Sequence, residues 1–160
     1  MALNATDLAL FEASSNLGGA VSANEISSGQ AGNLFDTFTG TETRDGIVAY
    51  ACAYVKNKGA QAATNVVIHI DSETAHGSVN VTVGLGSSAI DGTEQTIANE
   101  QTAPSSVSFV EALDEENGLS VGTLNAGQTK AVWFRIDVPA GTAAKNVYQF
   151  VPQINFDTAE

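Results

Sequence analysis

An all-β fold, an antiparallel β-sandwich preceded by an extended N-terminal arm, is what this sequence of 160 residues predicts. Three observations carry the prediction. From Gly46 onward apolar residues alternate with a period of two. Val, Ile, Thr and Phe are plentiful, whereas Lys and Arg together number only 6, a composition that favours strands over helices. Short turn-rich stretches separate the apolar segments, and no long amphipathic helix pattern interrupts them.

Residues 1–45 form the first unit, an extended arm or edge segment. They are rich in Ser, Ala, Asn and Gly and carry spaced apolar residues, among them Leu8, Leu10, Phe11, Leu17, Leu34, Phe35 and Phe38. Two placements suit such a segment: a strap laid over another subunit, or one or two edge strands on its own domain. Residues 46–160 form the sandwich. Ile47 to Lys56 is apolar on both faces, with Val48, Tyr50, Cys52 and Tyr54 on one and Ile47, Ala49, Ala51, Ala53 and Val55 on the other. This pattern predicts a central strand covered on both sides. Asn57 to Gln61 is a turn, and Asn65 to Asp71 then alternates, with Val66, Ile68 and Ile70 inward and His69 and Asp71 outward. Val79, Val81, Val83 and Leu85 share a face of the next strand, opposite Asn80, Thr82 and Gly84.

Residues 86–105 are polar and turn-rich, and an acidic turn follows at Glu111 to Gly118. A short strand, an Asn125–Gly127 turn and a long strand ended by Pro139 come next. The long strand points Val132, Phe134, Ile136 and Val138 inward and Trp133, Arg135 and Asp137 outward. Trp133 beside Arg135 is thus an anchor candidate for an interface, because aromatic and Arg residues dominate binding hot spots; the alternative packs Trp133 beneath the N-terminal segment. In the last strand Pro152 suits an edge or a bulge.

The charge narrows the function. A formal net charge of −12 is repelled by phosphate backbones and anionic lipid, so neither nucleic acid nor membrane is an expected partner. The start of the chain lacks the basic and apolar regions of a signal peptide, and no apolar run approaches a bilayer span. The expected place of synthesis is a reducing cytoplasm.

A search for chemistry returns little. Cys52 is the single cysteine and lies within an alternating strand, the setting of a buried inert thiol. His69, Asp71, Glu73 and His76 fall within eight residues and are weak metal-ligand candidates, although their spacing matches neither a zinc motif nor an EF-hand. The acidic turn Asp114–Glu116 is weaker still. There is no nucleophile elbow, no phosphate loop and nothing that selects a carboxylate pair. The expectation is a non-enzymatic chain without a cofactor.

The phrases "YVKNKGAQAATNVVIHI" and "LNAGQTKAVWFRIDVP" resemble the hairpin and strand of bacterial immunoglobulin-like modules. The matched positions are Asn57, Gly59, Ala63, Asn65, Val66, Leu124, Gly127, Phe134, Ile136, Val138 and Pro139. The resemblance implies an immunoglobulin-like sandwich and is silent on function. Four blocks, 16–22, 33–57, 94–109 and 124–146, are similar to a family of small virion proteins of tailed bacteriophages. Where its members more often carry "YRCIYVKN" and "WLRRTVPAG", Ala51 and Ile136 here replace charged residues. The resemblance implies a virion component. The first expectation is a capsid decoration (cement) protein, a trimer bound to the major capsid protein on the outer shell. The second is a tail, baseplate or fibre-associated protein that binds another tail protein or a host glycan.

Overall fold

The computed structural model describes residues 3–27, 32–143 and 148–158. The chain is nearly all β and makes two antiparallel sheets. Its strands are β1 (Leu8–Ser15), β2 (Gly18–Glu25), β3 (Ile47–Asn57), β4 (Ala63–Glu73), β5 (Asn80–Leu85), β6 (Leu119–Leu124), β7 (Thr129–Val138) and β8 (Phe150–Thr158). The larger sheet has the order β2-β1-β3-β7-β5 and the smaller β6-β4-β8.

The strand with two apolar faces is the central one, as its composition requires. β3 pairs with β7 in continuous register from Ile47 opposite Val138 to Lys56 opposite Thr129, and with β1 on its other side. Its inner face joins Ala49, Ala51, Ala53 and Val55 to Val132, Phe134, Ile136, Val81 and Val83. The smaller sheet closes this core with Ala63, Val66, Ile68, Ile70 and Leu124. Ala51 and Ile136 lie inside this core. An unpaired charge would be costly there, so the apolar residues match a dry interior.

Of the two placements open to the N-terminal segment, the described residues take the one on their own domain. β1 and β2 form an edge hairpin on β3, with Leu8 and Leu10 in the inner core. Leu34, Phe35 and Phe38 also pack against that core, and Phe38, Phe35, Phe150 and Phe134 form a chain of ring contacts with centroids 5.5–6.4 Å apart. Between this segment and β3 lies a short helix, α1 (Gly40–Asp45). Its start is set by a capping box in which the Thr39 hydroxyl accepts from the Glu42 N–H and Glu42 accepts from the Thr39 N–H.

The other face of the large sheet carries a second core of Phe11, Ala13, Cys52, Tyr54, Ala131 and Trp133. The polar stretch after β5 folds back across it, bringing Ile97, Val107 and Phe109 onto these side chains. Gly84 marks the close approach. A Cβ there would stand 2.6 Å from Val107 Cγ1 and 2.8 Å from the Ser108 carbonyl. Residues 107–110 form no strand, and Val110 makes only an isolated bridge to Val83.

The Asn57 turn has a defined mechanism. The fully buried Asn57 amide donates to the carbonyls of Gln61 and Leu124, both at 2.8 Å, and its oxygen accepts from the Gly59 N–H. One side chain therefore ties the end of β3 to its own turn and to β6.

Candidate functional site

Trp133 is 0% exposed, roofed by the outer core, so the expectation of an outward interface anchor is corrected. Alternation does place it on the outer face of β7, but that face is covered by the stretch that carries Ile97, Val107 and Phe109. Leu8, Phe11 and Leu34 are buried as well and present nothing to a partner. Leu10, Leu17, Phe35 and Phe38 are half-buried against the same two cores. Arg135 remains partly exposed and pairs with Asp137 at 2.8 Å.

The four metal candidates are not brought together. His69, expected outward and solvated, is only 5% exposed; Glu73 accepts hydrogen bonds from the Val81 N–H and the Tyr148 hydroxyl; and His76 Nε2 lies 2.6 Å from the Ala143 carbonyl. Among the described residues no group of three or more His, Cys, Asp or Glu side chains has metal-binding geometry. In the acidic turn, Asp114 is engaged by Asn117 and Glu115 by Asn155. Cys52 is buried, and burial followed by the nearby Glu94 carboxylate pushes its thiol far above the ordinary range, which makes it inert as a nucleophile.

Two buried carboxylates that sequence reasoning missed organise the polar cover. Glu94, 3% exposed, accepts from the Ser87 hydroxyl, the Ser88 N–H and hydroxyl, and the Gln95 amide. Burial alone would raise its pKa, but these donors outweigh it and hold the group at about 2. Its own N–H donates to the Tyr54 hydroxyl.

Glu100, 8% exposed, receives the Asn16 amide and the Asp36 N–H, while its carbonyl accepts from the Tyr50 N–H at 2.7 Å. Burial, then the neighbouring Asp36 and Glu42 carboxylates, raise its pKa against those two hydrogen bonds. A groove of ≈ 370 Å³ opens beside it, lined by Asn16, Asp36, Phe38, Glu42 and Gln101 among others. Three carboxylates and an aromatic ring make this groove suited to a cationic side chain, not to nucleophilic chemistry. Its only advance signals were a turn-rich stretch and isolated acids, which carry no periodicity.

No protein-family model, curated protein or solved structure matches the chain. Among the described residues, no helix is long and apolar enough to cross a membrane.

Proposed function

We propose that this chain is a non-enzymatic structural protein of a tailed-phage virion, a capsid decoration (cement) protein on the outer shell. In this reading it is an immunoglobulin-like sandwich, made in the host cytoplasm. It acts as a homo-oligomer, with a trimer favoured, and bridges major capsid subunits. One observation carries the proposal. The four blocks similar to virion proteins are far apart in sequence, yet all four supply side chains to the outer core: Leu17, Tyr54, Ile97 and Trp133 come from one block each. The likeness therefore falls on one packed unit and not on scattered fragments.

The physics of decoration suits such a unit. Repetition on a shell multiplies a modest contact, and a net charge of −12 keeps decorated particles apart. The acidic groove beside Glu100 offers a basic residue of the shell a place to dock.

Gel densitometry of virions purified from the source that encodes the chain tests this. The expected result is hundreds of copies per particle, with particles lacking the protein less resistant to heat. A handful of copies that fractionate with tails would replace this reading with the tail-associated one, and absence from virions would overturn both.

A further inference from the structure

Asn117 is the only asparagine in the chain followed by glycine. It lies in an exposed acidic turn, and the structure explains why both residues are held there. Asn117 donates its backbone N–H and its side-chain amide to Asp114 Oδ1, both at 2.8 Å, which closes the turn. Gly118 sits hard against β4. A Cβ there would stand 2.3 Å from Val67 Cγ1 and 3.1 Å from the Ile68 carbonyl. Neither partner is freely exchanged, so packing retains an Asn-Gly pair in a solvent-accessible place.

We infer that Asn117–Gly118 is a site of spontaneous covalent modification, in which the asparagine is converted through a succinimide to aspartate and isoaspartate. The chemistry needs only water and a base. The Gly118 nitrogen, with no side chain of its own residue to hinder it, loses its proton to solvent and attacks Asn117 Cγ. A Cγ–N bond to Gly118 forms as the Cγ–Nδ2 bond breaks, and ammonia leaves. Water then opens the ring at either carbonyl. Opening at Cγ gives aspartate, and opening at the main-chain carbonyl gives isoaspartate; nothing is oxidised or reduced. The Gly118 N–H is held only by a 3.2 Å contact to the Glu115 carbonyl, a long hydrogen bond to give up.

The products act on the fold through charge and length. A carboxylate replaces the amide donor that faced Asp114, so attraction becomes repulsion. Isoaspartate also inserts a methylene into the backbone immediately before Gly118, which has no room to move toward Val67. The strand that begins one residue later pairs Leu119 with Ile68, and that pair loosens first.

The test is to age the purified full chain at mildly alkaline pH and follow it by peptide mapping with isoaspartate detection. The expected result is that the mass gain of exchanging NH2 for OH accumulates at Asn117 well ahead of exposed Asn99 and Asn125, which precede Glu and Ala. Asn117→Gln, whose longer side chain closes the ring slowly, abolishes the gain. Equal rates at the three asparagines, or an unchanged rate in Asn117→Gln, overturn the inference. Hydrogen exchange at Leu119 and Ser120 is expected to quicken in the modified chain only; unaltered exchange there would refute the structural consequence.

Discussion

Tyr54 and Glu94 are joined across the outer core: the Glu94 N–H donates to the Tyr54 hydroxyl at 3.0 Å, and that hydroxyl donates to the Gly19 carbonyl at 2.6 Å. One phenol thus ties the central strand to the turn of the N-terminal hairpin and to the long cover. Tyr54→Phe keeps the ring but leaves a buried N–H and a carbonyl without this partner. A loss of about 1–3 kcal/mol is expected, seen as a lower denaturant midpoint at unchanged slope. An unchanged midpoint would mean that solvent or another group satisfies both atoms.

Glu94 contributes an acid-sensitive share of stability. Its folded pKa is depressed from 4.5 to about 2, so the folded state binds its proton less readily than the unfolded chain does. The contribution is therefore complete above the unfolded value and is lost as pH falls from 4.5 toward 2. Its size is roughly 3 kcal/mol. Glu94→Gln is expected to be less stable at neutral pH and to show a shallower acid limb in chemical denaturation across that window. A parallel acid limb would assign the pH dependence to other carboxylates.

Glu100 works in the opposite direction. Its folded pKa is raised by burial and by Asp36 and Glu42, so the ionised form weakens the folded state. This penalty is absent below the unfolded pKa, grows as pH rises through the folded pKa, and is constant above it. Glu100→Gln retains an oxygen for the Asn16 amide and the Asp36 N–H while removing the charge. The variant is expected to be more stable than the parent at neutral pH, with the difference vanishing in acid. A variant less stable at neutral pH would show that the hydrogen bonds to the carboxylate outweigh its desolvation.

Much of the fold was legible because it rests on alternation. Ile47–Val55 is apolar on both faces and Val132–Val138 on alternate residues, which suffices to place β3 and β7 at the centre and to assign their inner faces. The outer cover was not legible, because residues 86–110 hold the sheet through a few apolar contacts and two buried carboxylates, with no repeating pattern. Its trace lay in Gly84, a glycine inside a strand, where backbone must pass close by. Trp133 was assigned to the correct face, yet that face is interior. The helix at Gly40 was signalled by Thr39 and Glu42, a capping pair too short in its following run to read as a helix.

The N-terminal hairpin offers the sharpest test of this architecture. A detachable strap predicts that deleting residues 1–40 leaves a folded sandwich unable to bind. The structure predicts a different outcome. The deletion strips β1 from β3 between Leu8 and Glu12, removes Phe11 and Ala13 from the outer core, and takes Leu34 and Phe35 from the inner one. It also removes the Gly19 carbonyl that Tyr54 bonds and the Asn16 amide that Glu100 accepts. Losing several large side chains from both cores costs about 2–5 kcal/mol each, against a total stability of roughly 5–15 kcal/mol for a domain. The truncated chain is expected to lack a cooperative thermal transition and to aggregate through the bared edge of β3. A soluble truncation with a sharp transition near that of the full chain would show instead that residues 46–160 form an independent unit.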